Sequence, residues 1–172
     1  IDAICYFCIL ELQNYEFLNT IDKNQICKFI CSEPQRVVII SHTNPDGDSI
    51  GSSLAINKIL LEYGHNSVVI FPDAYPEYYT WMPGINNAIV AEKELEKAKN
   101  LITNADLHII VDMNSFKRGQ ILEEALEQSN AKRILIDHHI LVNNIFDLAY
   151  SNPNVSSTSE LVYDVIESVN PN

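Results

Sequence analysis

The stretch "RVVIISHTNPDGDSIGSSLAINKILLEYG" (residues 36–64) decides the fold. "RVVIIS" is a short β-branched run of the kind buried on both faces of a parallel sheet. Apolar residues then recur at Leu54, Ile56, Ile59, Leu60 and Leu61, ahead of Gly64, which reads as a helix with a glycine stop. Between strand and helix lies a loop holding a histidine, two aspartates, an asparagine and a proline. Packing alone does not call for that mixture at the end of a buried strand. Chemistry does.

The same alternation continues outward. "SVVIF" (67–71) reads as a second strand, and "PDAYPEYYTWMPG" (72–84) as a long loop rich in proline and aromatics. "NAIV" (87–90) reads as a short strand and "EKELEKAKNLI" (92–102) as a helix with pairable Glu and Lys. "DLHIIVDM" (106–113) is a strand, "KRGQILEEALEQS" (117–129) a helix, and "AKRILIDHH" (131–139) a strand. "FDLAYSNP" (146–153) reads as an edge strand and "SSTSELVYDVIESV" (156–169) as a helix opened near Ser157, Thr158 and Glu160. The expected fold is α/β, a mostly parallel, doubly wound sheet flanked by helices. Residues 1–31 form an expected N-terminal helical segment, its second part capped by Thr20 or Asp22. Residues 32–172 form the domain proper.

The chain has 172 residues, 47 % of them hydrophobic, enough for one domain with a real core. No apolar run approaches the roughly 20 residues of a membrane span. The start, "AICYFCIL" (3–10), lacks the pattern of a signal peptide, so a cytoplasmic protein with no membrane partner is expected. The net charge of −12 repels nucleic acid and anionic membranes at long range. An anionic substrate therefore needs local cations, and bound metal ions are the strongest available. Cys5 and Cys8 have a spacing that permits zinc. Without ligand-type neighbours they read, with Cys27 and Cys31, as buried free thiols.

Three strands run into acid or imidazole: the first into His42, Asp46 and Asp48, another into Asp112, the last into Asp137, His138 and His139. Singly, these are ordinary: Asp46-Gly47-Asp48 as a turn, Asp112 as a cap, the histidine pair as polar filling. Together they lie where an open α/β sheet binds ligands. Crowded carboxylates repel unless cations separate them, and carboxylate and imidazole are common ligands of divalent ions. Four aspartates and three histidines exceed one site and suit two metals, which can activate water and clamp a transferring phosphoryl group. Gly47 is expected to allow a tight turn, and Gly51 a close backbone approach. The helix starts at Ser49–Ser53 and at Ser156, Ser157 and Thr158 are candidate anion sites.

In that order, these residues resemble the DHH phosphoesterase superfamily. "SHTNPDGDSIGSSLA", "DHH" and "SSTSELVY" resemble its bifunctional oligoribonuclease and pAp phosphatase branch, and proteins described as exopolyphosphatase-related. The resemblance runs from about residue 22 to 172. It implies two Mn²⁺ ions, with Mg²⁺ or Co²⁺ as substitutes. His42 and Asp46 would hold one metal, Asp48 and His138 the other, and Asp112 would bridge them. His139 would contact the scissile phosphate and Asp137 would orient the histidines, making these two the catalytic pair. Ser156, Ser157 and Thr158 would bind substrate, which would be short RNA or pAp.

The family's fourth metal motif and its smaller, substrate-binding C-terminal domain are not found in the 172 residues. A catalytic domain of a longer protein or a truncated product, weakly active alone, is the expectation. Another hydrolase of the superfamily, acting on pyrophosphate, polyphosphate or a cyclic dinucleotide, is the alternative. Family pyrophosphatases tend to carry Asp-Thr-Asp where this chain has Asp46-Gly47-Asp48. A weak nucleotide-binding module is a further reading. The aromatic loop could stack a base, or form a packed cover or a homodimer surface.

Overall fold

The computed structural model describes residues 22–140 and 145–170. A six-stranded sheet has the order β3-β2-β1-β4-β5-β6. The strands are β1 (Arg36–Ile40), β2 (Asn66–Phe71), β3 (Ile89–Val90), β4 (Leu107–Val111), β5 (Lys132–Asp137) and β6 (Leu148–Ser151). All five neighbouring pairs run parallel. Helices are α1 (residues 22–30), α2 (Gly47–Glu62), α3 (Leu95–Asn104), α4 (Glu123–Gln128) and α5 (Thr158–Val169).

Alternate strand residues build two cores. Val37, Ile39, Val69, Phe71, Ile109 and Ile134 pack against α1, α2 and α5. Val38, Ile40, Ile70, Ile110 and Leu135 pack against α3 and α4 on the other face. Helices on both faces explain why these strands are continuous apolar runs rather than alternating ones. Residues 22–30 belong to this domain, since Ile26 and Ile30 are fully buried in the first core. Asp22 stands at the start of the described part of that helix. Its carboxylate accepts the Ala149 N–H at 3.0 Å, holding α1 on β6. Cys27 is half-buried and Cys31 exposed, so only the former approaches the buried thiol expected. Cys5, Cys8 and Thr20 lie outside the described residues.

The segment expected as one helix over 117–129 is two. A 3₁₀ stretch (Phe116–Leu122) precedes α4, and the break falls at Gln120, with φ 44° and ψ −102°. The aromatic loop also contains a 3₁₀ turn, Glu77–Tyr79, and a second, Ile85–Asn87, follows it. No described helix is long and apolar enough to cross a membrane.

Candidate metal centre

Sheet order reverses direction between β1 and β4, and crevices at such switch points sit beyond the carboxyl ends of the strands. The loop after β1 carries His42 and Asp46, and Asp48 sits in the first turn of α2. Asp112 follows β4 directly, and β5 ends in Asp137, followed by His138 and His139. Parallel pairing therefore brings residues up to 97 positions apart (His139 less His42) to one edge.

Asp112 is the hub. It is 2 % exposed and adopts φ 57°, a left-handed conformation that only a few residue types tolerate. Its Oδ2 lies 3.3 Å from His42 Nε2, and its Oδ1 lies 3.6 Å from His138 Nε2 and 3.4 Å from His139 Nδ1. The Thr158 hydroxyl donates to Oδ1 at 3.0 Å. Burial by itself pushes this carboxyl up. The His42 and Thr158 contacts, with the histidine charges, more than offset it, so the group lies below its ordinary value. His42 moves up, because Asp112 faces it, against the opposing pull of burial. Its Nδ1 is 2.7 Å from the Thr43 carbonyl, which can only accept. Nδ1 therefore carries the proton, and Nε2 points at Asp112.

Asp46 caps α2: Oδ1 accepts the N–H groups of Asp48 and Ser49, both at 3.0 Å. Asp48 reaches across to α5. Its Oδ2 accepts the Thr158 N–H at 2.8 Å. Its Oδ1 accepts the Ser159 N–H at 2.8 Å and the Ser159 hydroxyl at 2.5 Å. A carboxylate at a helix N-terminus meets free donors and the positive end of the helix dipole. Of the Ser156–Thr158 segment, Thr158 is buried and turned to the cluster, Ser157 is half-buried and Ser156 is exposed. Thr158 N–H is taken by Asp48 and its hydroxyl by Asp112, Ser157 caps Glu160 N–H at 3.3 Å, and Ser156 bonds the Glu160 carboxylate. The α2 start is likewise closed by Asp46.

Asp137 is fully buried. Its Oδ1 accepts the His139 N–H at 3.1 Å and His139 Nδ1 at 2.7 Å, whereas its Oδ2 has no partner among the described residues. His139 is therefore protonated at Nδ1 and leaves Nε2 free. Among the described residues the hydrogen bonds of the Asp137 carboxylate go to His139. The His138 N–H donates to Thr158 Oγ1 at 3.3 Å, and His138 Nε2 lies 3.9 Å from Asp48 Oδ2.

Three supports escaped the sequence reading. Asp73, from the aromatic loop, accepts the Asn44 N–H with both oxygens at 2.9 Å and holds that residue at φ 52°. Arg118 accepts the Thr43 N–H at 2.9 Å through its carbonyl and donates from Nη1 to the Asp112 carbonyl at 3.2 Å. A Cβ on Gly47 would lie 3.0 Å from the Tyr79 hydroxyl, so that position needs space rather than a left-handed turn. At Gly51 a Cβ would meet only ordinary contacts, 3.7 Å to Met82 and 3.8 Å to Ser159. Only the Asn-Pro pair at 44–45 signalled a special backbone in advance.

The donors form two sets, His42/Asp46/Asp112 and Asp112/His138/His139, each with ligand atoms within 4.8 Å of one another. Both sets contain Asp112. Separations of 3.3–3.6 Å are long for a charge-assisted hydrogen bond. They match ligand atoms each about 2.1 Å from one ion, which sit about 3–4.2 Å apart. The donors are oxygen and nitrogen, without thiolate, as hard and borderline divalent ions prefer. The residues thus fit a pair of divalent cations.

Comparisons with known proteins give the chain a family and a set of relatives. The family described as DHH family, N-terminal domain, matches residues 36–172. The cyclic-di-AMP phosphodiesterase PdeA of Listeria monocytogenes serotype 1/2a is 26 % identical over 156 residues, 84 % of this chain and 23 % of that protein. The cyclic-di-AMP phosphodiesterase GdpP of Bacillus subtilis is 30 % identical over 151 residues, 81 % of this chain and 22 % of that protein. The chain thus spans under a quarter of the length of these curated relatives. A crystal structure of an exopolyphosphatase-related protein from Bacteroides fragilis superposes with a TM-score of 0.83 at 33 % identity, covering 88 % of this chain and 44 % of that one. RecJ from Thermus thermophilus, solved with Mn²⁺, shares the fold at a TM-score of 0.50 and 13 % identity, covering 86 % of this chain and 20 % of that one.

Proposed function

The chain belongs to the DHH family, and from that premise we propose that it is a metal-dependent phosphoesterase domain of the cytoplasm acting on short oligoribonucleotides or pAp. The observation that carries the reading is Asp112, a buried carboxylate common to two three-donor groups. His42, Asp46 and Asp112 would hold one ion. Asp112 and His138, with Asp48 nearby, would hold the other. Ions there would lower the pKa of water and offset charge on a phosphoester. We assign Mn²⁺ to both positions, with Mg²⁺ or Co²⁺ as substitutes.

The protein's own groups do the positioning. Thr43 keeps His42 in the tautomer that offers Nε2. Thr158 and Arg118 hold Asp112 from both its side chain and its carbonyl. Asp137 fixes the His139 ring through Nδ1, leaving Nε2 to contact a phosphate oxygen or carry a proton to a leaving group. The α5 N-terminus grips Asp48 by both oxygens and so fixes that carboxylate beside His138.

A second reading, hydrolysis of a cyclic dinucleotide, draws on the activity in the names of the Listeria and Bacillus relatives. Turnover of pAp, pApA, cyclic di-AMP and pyrophosphate with Mn²⁺ separates the two. Preference for pAp or pApA supports the first, and preference for cyclic di-AMP the second. Absence of turnover on every substrate, with no Mn²⁺ bound by calorimetry, ends the phosphoesterase reading.

A further inference from the structure

An acidic chain that acts on a phosphoester needs a fixed cation besides its metals. The sequence has 23 acidic and 11 basic residues. Several basic side chains are spent elsewhere: Lys23 on Asp164, Arg36 on Asp106, and Arg133 on carbonyls at the end of α4. Arg118 is different. Among the described residues it is the basic side chain whose hydrogen bond reaches the carboxylate–histidine cluster.

Its placement follows from the 3₁₀ turn that starts at Phe116. The chain leaves β4 at Asp112, turns through a 3₁₀ stretch, and returns Arg118 to the same edge. The Arg118 carbonyl accepts the Thr43 N–H at 2.9 Å and the Thr43 hydroxyl at 3.2 Å. Its guanidinium is half-buried and donates once, from Nη1 to the Asp112 carbonyl at 3.2 Å. A guanidinium has five N–H donors in a planar fork, so most remain for a ligand.

Resting on the phosphoesterase reading, we propose that Arg118 is a substrate-binding residue whose guanidinium takes a non-bridging phosphate oxygen of a nucleotide at the mouth of the Asp112 cluster. The Asp112 carbonyl sets the fork's angle, and divalent ions bound at the neighbouring carboxylates would add to its attraction for a phosphate. The Thr43 bonds are main-chain contacts and survive truncation of the side chain, which separates ligand binding from loop structure.

The test compares Arg118→Ala and Arg118→Lys with the unmodified chain, using calorimetry with Mn²⁺ and then with 5′-AMP on the Mn²⁺-loaded protein. In Arg118→Ala the Kd for 5′-AMP is expected to rise about tenfold or more, as for loss of a charge-assisted bond, and by more than any accompanying change in Mn²⁺ affinity or Tm accounts for. Arg118→Lys recovers part of the loss, since it restores charge without the fork. Where turnover is measurable, KM for pApA rises in parallel. Equal 5′-AMP affinity in Arg118→Ala and the unmodified chain overturns the proposal, as does a loss of Mn²⁺ affinity and Tm that accounts for the whole effect. Failure of the unmodified chain to bind 5′-AMP also overturns it. Binding that depends on Arg118 without turnover of any substrate supports it and counts against the phosphoesterase reading alone.

Discussion

The two ends of the same parallel strands are charged in opposite ways. At the amino end Arg36 and Asp106 form a closed pair. Arg36 meets Asp106 through Nη2 at 2.6 Å and Nε at 3.0 Å, and its own N–H donates to the same carboxylate at 2.9 Å. Buried His108 donates to the Ile102 carbonyl at 2.8 Å. At the carboxyl end, Asp112 faces three imidazoles at once, and Asp137 keeps one oxygen without a partner among the described residues. Two of the buried histidines record the contrast. Burial moves His108 down, while Asp112 moves His42 up. Paired charges at one edge hold structure together. Charges crowded beyond their pairing at the other edge call for cations.

Replacing the hub should break the contrast most. Asp112→Asn is expected to lower Mn²⁺ affinity more than about 100-fold by calorimetry, above the roughly 10–100-fold typical of residues that only orient ligands. A fall below tenfold would show that the three imidazoles do not depend on a shared carboxylate.

Asp137→Asn sharpens it. Turnover should fall about 10–100-fold as His139 loses its anionic partner. Thermal melting should stay level or rise, since a buried carboxylate with one unpartnered oxygen costs stability. A large drop in Tm would place Asp137 with the structural charges instead.

At the other edge, His108 has a folded-state pKa below its unfolded value of 6.5, because burial disfavours the cation. Its contribution to stability is therefore present above about pH 6.5 and is lost as pH falls through that value toward the folded pKa. The slope cannot exceed about 1.4 kcal/mol per pH unit for one proton. Urea melts of His108→Gln between pH 7 and 5 should be flatter than those of the parent chain.

The smallest effect is expected at Arg36. Asp106 titrates at about 2 against an ordinary 3.8, mainly because Arg36 donates to it. With a depressed pKa, the pair stabilises above pH 3.8 and the contribution fades as pH falls toward 2. Arg36→Ala should return Asp106 toward its ordinary value in an NMR titration, with turnover unchanged.

Much of this was legible in the residues. "RVVIIS", "LHIIV" and "RILID" announced strands buried on both faces, and they are β1, β4 and β5. The one-helix reading of 117–129 failed because a 3.6-residue apolar period does not reveal a single turned residue, Gln120. The helix start near Ser157 was legible, but not its tie to Asp48, about 110 residues away, which accepts the N–H groups of Thr158 and Ser159.

The sequence by itself determined the alternation of strand and helix, the parallel direction, and hence that His42, Asp112 and His138 would share one edge. Period and chain handedness carry that information, and both are local. Only the tertiary structure decided which donor meets which acceptor: Thr158 with Asp112, Asn44 with Asp73, Thr43 with Arg118. Those choices depend on register, rotamer and a left-handed turn at Asp112, set by packing between segments that sequence spacing does not relate.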